Sequence, residues 1–90
     1  MEISVLFVID TLEIGGTERS LLEIVKRLRN VEVTVCHIYP GDALRAEFEN
    51  HGARVISLNI RGKYSPFRTI TALRSLVRDL EPDIVHSMLF

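Results

Sequence analysis

Residues 3–9 read I-S-V-L-F-V-I, an apolar run broken by one serine, and the chain then turns through D-T-L-E-I-G-G-T-E-R at residues 10–19. Side chains that are apolar at both odd and even positions mark a strand buried on both faces, as in a parallel sheet. The turn that follows opens a helix. Gly15 and Gly16 leave out side chains where the backbone bends, so its N–H groups stay open to a ligand, and the turn is expected to need a positive φ. Thr17 is placed to supply the N-cap hydroxyl. A helix N-terminus offers unpaired N–H groups and a positive dipole end, so a phosphate is the expected occupant. The chain carries neither G-x-G-x-x-G nor glycines followed by G-K-[ST], which disfavours a dinucleotide fingerprint and a P-loop.

From Glu18 to Arg29, Leu21, Leu22, Val25 and Leu28 recur at helical spacing, with Glu18 at the acidic start and basic residues at the end, as the macrodipole favours. Val31, Val33 and Val35 then alternate with Glu32, Thr34 and Cys36 as a second strand that runs on toward Pro40 and Gly41. Asp42 is expected to cap a short helix that presents Leu44 and Phe48 and ends at Gly52 in the C′ position. Arg54 to Leu58 reads as a short, polar edge strand, and Asn59 to Tyr64 as a loop. Ser65 and Pro66 form an N-cap and N1 pair for a third helix whose buried stripe is Ile70, Leu73, Val77 and Leu80. Pro82 stops it, and Asp83 to His86 form a fourth strand around Ile84 and Val85.

Strand and helix alternate throughout, and right-handed crossovers then require a parallel, Rossmann-like sheet with helices on both faces. The expected strand order is 3-2-1-4. Strands 1 and 4 flank the topological switch point, so the glycine turn and the segment after Val85 converge on one crevice. Residues 1–90 make a single small domain. The final Met88, Leu89 and Phe90 come with no helix to cover strand 4, so the chain is expected to be the front part of a larger domain.

Eleven basic against 12 acidic side chains give a net charge of −1, which offers nothing to nucleic acid. One cysteine and three scattered histidines leave no disulfide and no metal cluster, and point to a reducing compartment. The apolar start is too short to span a bilayer and lacks a signal peptide's basic flank. Cys36 reads as a core residue, and His37 and His51 as structural. Spacing alone makes His86 a structural histidine at a strand end, and makes Arg61, Lys63 and Tyr64 a solvated basic loop.

The opening I-S-V-L-F-V-I-D-T-L-E-I-G-G-T-E-R-S-L-L and the closing P-D-I-V-H-S-M-L-F resemble, in order and over nearly the whole chain, the amino-terminal domain of family 4 glycosyltransferases of the GT-B architecture. The resemblance implies two Rossmann-like domains facing a cleft. It implies transfer of a sugar, with retention, from a nucleotide-sugar co-substrate to a glycan or lipid acceptor, without a required metal or other cofactor. Gly15 and Gly16 match the loop that meets the donor's phosphates, which makes Thr17, at the helix start beside them, a further phosphate candidate, and His86 matches a histidine that lines the cleft. Glu18 and Arg19 match motif positions whose contacts the resemblance does not assign. Arg61, Lys63 and Tyr64 become candidates for acceptor recognition. Where many relatives carry a second histidine, this chain has Met88. The donor-binding carboxy-terminal domain is absent from the sequence, so the 90-residue chain is expected to be inactive alone. The implied place is the cytosol or the cytoplasmic face of a membrane, with peripheral association there. The rival readings are a stand-alone flavodoxin-like nucleotide-binding or regulatory domain without catalysis, and a nicotinamide oxidoreductase, which the missing fingerprint disfavours.

Overall fold

The computed structural model describes residues 2–12, 15–61 and 66–88. Its elements are β1 (Ile3–Ile9), α1 (Gly16–Arg27), β2 (Val31–His37), α2 (Arg45–Asn50), β3 (Arg54–Ser57), α3 (Pro66–Leu80) and β4 (Ile84–Met88). The strands form one four-stranded sheet of order β3-β2-β1-β4, parallel at every pairing. The expected order holds. Ile3 pairs Val31 and Ile9 pairs His37 on one side of β1, while Val5 pairs Ile84 and Ile9 pairs Met88 on the other.

The two-sided burial of β1 organises the core. Val5, Phe7 and Ile9 join Leu21, Leu22 and Val25 of α1 and Phe48 of α2 in one cluster. Leu6 and Val8 join Cys36, Ile38 and Ile60 in a second, against which Leu73, Leu76 and Leu80 of α3 pack. Helices therefore cover both faces. β4 is an edge, and Ile84 and Val85 remain about half exposed, at 51% and 48%.

Several local expectations change. α1 begins at Gly16 and ends at Arg27, two residues earlier at each end than the apolar spacing indicates. Asp42 does not cap α2 with its side chain: its carbonyl accepts Arg45 N–H at 2.9 Å, and Leu44 holds the cap position. The reason is tertiary. Leu12 N–H bonds to Gly41 O at 2.8 Å and Leu44 N–H to Leu12 O at 2.9 Å, which pins this segment to the β1 loop and buries Leu44. At the other end of α2 the expectation holds: Gly52 has φ +89, Gly52 N–H bonds to Glu49 O and Ala53 N–H to Phe48 O, a Schellman closure.

β3 stops at Ser57, one residue short of Leu58. The α3 stripe is also different: Leu76 packs inward beside Leu73 and Leu80, while Ile70 and Val77 face outward at 54% and 37% exposure. Both rows have helical spacing, and the sheet takes only one. Ser65, the expected N-cap of α3, lies outside the described residues. β4 runs two residues past His86 to Met88, and Asp83 anchors its start, accepting Ser4 N–H on Oδ2 and donating its own N–H to Ser4 O, both at 2.8 Å.

Candidate functional site

The carboxyl ends of β1 and β4 meet at the switch point, and there Ile9, Asp10, Thr11, Thr17, Glu18 and Met88 line a cavity of about 170 Å³. β1 delivers Asp10 and Thr11, the first turn of α1 delivers Thr17 and Glu18, and β4 delivers Met88 opposite Ile9. Two segments far apart in sequence do converge here.

Gly15 is the N-cap of α1, with extended backbone at φ −155, ψ 175, and its carbonyl accepts Arg19 N–H at 3.0 Å. Thr17 is consequently inside the first turn and makes no capping bond, contrary to the hydroxyl cap read from sequence. Nor does either Gly15 or Gly16 adopt a positive φ. A Cβ at Gly15 would stand 2.9 Å from Glu18 Oε1, the far end of a flexible side chain that would have to move aside. The Glu18 carboxylate folds back over the N-cap and accepts the Thr11 hydroxyl on Oε2 at 3.1 Å. An acid in this position complements the positive end of the helix. At Gly16, a Cβ would meet nothing within 4 Å, so the space above it is open.

Met88, not His86, is the β4 residue that reaches the cavity. His86 pairs with Phe7 across the sheet, is exposed, and tilts against the Phe7 ring with centroids 5.5 Å apart and planes at 39°. It lies on the same face as Met88, one pleat further from the strand end. Arg61 is exposed beyond β3 and lines a separate cavity of about 330 Å³ with Leu58, Asn59, Ile60, Arg68 and Ala72. Lys63 and Tyr64 lie outside the described residues. Another concavity, of about 590 Å³, runs along α3 between Ile70, Leu73, Arg74, Val77 and Arg78.

His37 is buried, and its Nδ1–H donates to Tyr39 O at 2.8 Å, which fixes the tautomer and leaves Nε2 as a buried acceptor without a partner among the described residues. His51 is exposed at the C-cap of α2. Cys36 is fully buried and desolvation pushes its thiol up to about 11, so it is a core residue and not a nucleophile. Among the described residues no three His, Cys, Asp or Glu side chains are placed to hold a metal ion, and no helix is long and apolar enough to cross a membrane.

Sequence reasoning missed Asp10, Thr11 and Met88 at the first cavity and Arg68 at the second. The switch-point rule could have pointed to the first three, since it selects whatever follows the strand ends. Arg68 had no signal, because only the packing of α3 brings it to Arg61.

A parallel sheet of order 3-2-1-4, covered by helices on both faces and with its loops meeting at the switch point, defines a Rossmann-like α/β domain. Glycosyltransferase Family 4 matches the chain over residues 14–90, and the chain belongs to that family. No curated protein and no solved structure matches it.

Proposed function

We propose that this chain is the acceptor-side domain of a retaining glycosyltransferase that moves a sugar from a nucleotide-sugar donor to a glycan or lipid acceptor. Membership of family 4 over residues 14–90 carries the reading. Its support within the fold is the glycine turn at the switch point, where the open space over Gly16 lets a diphosphate approach the first N–H groups of α1. In this reading Gly15, Gly16 and Thr17 meet the donor's phosphates, and Asp10 and Thr11 face the adjoining sugar. Carboxylate and hydroxyl oxygens accept hydrogen bonds from sugar hydroxyls without needing a metal.

Arg61, with Lys63 and Tyr64, meets the acceptor. His86 orients a hydroxyl at the cleft wall, since a neutral imidazole can donate one hydrogen bond and accept another. The donor's base is held by a second domain, so this chain binds phosphates but does not turn over alone. No cofactor beyond the nucleotide-sugar takes part. The work is done in the cytosol or at the cytoplasmic face of a membrane, by peripheral association.

The test is release of nucleoside diphosphate from a panel of UDP-, GDP- and ADP-sugars. The 90-residue chain is expected to release none, and the same chain joined to a donor-binding domain is expected to release it when an acceptor is added. Turnover by the chain alone would overturn the two-domain reading. Nucleotide binding without transfer in the joined protein would favour a flavodoxin-like regulatory domain.

A further inference from the structure

Asn59 adopts a left-handed backbone at φ 49, with its N–H on Ser57 Oγ at 3.1 Å, and Ile60 N–H returns to Ile38 O at 2.9 Å. The Ile60 bond ties the segment after β3 to the sheet and Ile60 is buried, and Arg61, next in the chain, lines the 330 Å³ cavity. Arg68, the third residue of α3, lines the same cavity. Leu58, Ile60 and Ala72 supply apolar lining beside the two arginines.

The charge there is one-sided. Ion pairs elsewhere join Lys26 to Glu23, Arg45 to Glu49 and Arg78 to Asp79, but among the described residues neither Arg61 nor Arg68 makes one. The first turn of α3 contains no acid, and it carries Arg68 where the helix dipole is positive. Two guanidiniums and a helix N-terminus therefore raise the potential of one concavity, and a bound anion lowers the repulsion among them. A phosphate monoester, close to doubly charged at neutral pH, matches two arginines better than a carboxylate does, and each guanidinium can offer it two parallel N–H bonds. The apolar surface and the volume leave room for one ring beside the phosphate.

We propose that this cavity binds a phosphate monoester carried on a ring-sized group, with the phosphate held between Arg61 and Arg68. The inference rests on the acceptor reading of Arg61 only in taking the ligand to be the acceptor, and it makes that acceptor a phosphorylated one. Arg68 is then a specificity-determining residue.

Phenyl phosphate titrated into the 90-residue chain at low salt, followed by amide chemical shifts, tests it. Saturable shifts are expected at Asn59 to Arg61 and Phe67 to Ala72, weakened by added salt. Arg61→Ala and Arg68→Ala should each weaken binding roughly 10-fold, as loss of a charge-assisted bond does, with Arg68→Lys keeping part of it and Arg74→Ala all of it. Benzyl alcohol is expected not to bind, and inorganic phosphate to bind more weakly than phenyl phosphate. Wild-type affinity in both alanine variants, equal binding of benzyl alcohol, or binding only to phosphatidylcholine vesicles containing phosphatidic acid would overturn the proposal. Inorganic pyrophosphate, read at Gly15 to Glu18 in the same samples, reports on the donor turn separately. Its failure leaves the arginine site standing, and the reverse holds too.

Discussion

Glu18→Gln should tighten pyrophosphate binding while weakening the fold. The Glu18 carboxylate already lies over the N-cap, 2.9 Å from the place a Gly15 Cβ would take, so an anion arriving at the first turn of α1 meets it at roughly 4 Å. Two unit charges at that separation repel by about 1–4 kcal/mol for effective dielectrics between 80 and 20, and this half-exposed site belongs to the weaker end. Taking about 1–2 kcal/mol, the amide variant should bind pyrophosphate roughly 5–30-fold more tightly at low salt. The same change gives up a favourable charge at the helix N-terminus and weakens the bond from Thr11, together about 1 kcal/mol, which lowers the thermal midpoint by about 4–8 °C. Gly15→Ala reaches the same state by another route, since its methyl group pushes the flexible carboxylate aside. The two changes should therefore be non-additive in affinity, as a double-mutant cycle by calorimetry can show. Unchanged or weaker pyrophosphate binding in Glu18→Gln refutes the reasoning, because Glu18 would then be holding the turn for the ligand and not occupying its place.

Burial pushes the Cys36 thiol up from its ordinary 9.0 to about 11, so the folded state holds its proton to higher pH than the unfolded chain. Its stabilising contribution is complete below pH 9 and falls by about 2 kcal/mol by pH 11, so the gap in urea stability between wild type and Cys36→Ala should narrow across that range. His37→Leu loses the bond to Tyr39 O but also removes the unpartnered Nε2, and the net change should lie within about 1 kcal/mol of zero, whereas a loss above about 3 kcal/mol would mean that Nε2 has a partner such as a buried water. In a transferring enzyme, His86→Ala should reduce kcat/KM by about 1 kcal/mol, the value of an exposed hydrogen bond, and His86→Asn by less; activity unchanged in both, with only the midpoint lowered through the Phe7 contact, would make the residue structural.

How far the sequence discloses this molecule depends on whether a feature is local. β1 is legible to its last residue because the unbroken apolar run of Val5 to Ile9 demands burial on both faces, and Gly52 because a left-handed C′ position favours glycine. The strand order follows from connection handedness once strands and helices alternate. The start of α1 is not legible, since Thr17 and Gly15 rank about equally as caps by propensity, and only the backbone shows that the Gly15 carbonyl begins the ladder. Asp42 fails for a related reason: the preference for a capping acid is weaker than the pairing of this segment with Leu12. At the site, motif residues were visible where they stand next to one another, as at Gly15 to Glu18. Asp10 with Met88, or Arg61 with Arg68, become neighbours only when the chain closes.

In the proposed function the glycine turn receives the phosphates of a sugar donor. Gly16 tests it most directly, because its missing side chain faces open space and a valine there disturbs no packing. Amide shifts of wild type and Gly16→Val should be followed against inorganic pyrophosphate, with thermal midpoints alongside. Saturable shifts centred on Gly15 to Glu18 are expected in the wild type, and their loss in a valine variant that melts within a few degrees of it. Pyrophosphate binding that survives the valine, or that perturbs only residues away from the start of α1, contradicts it.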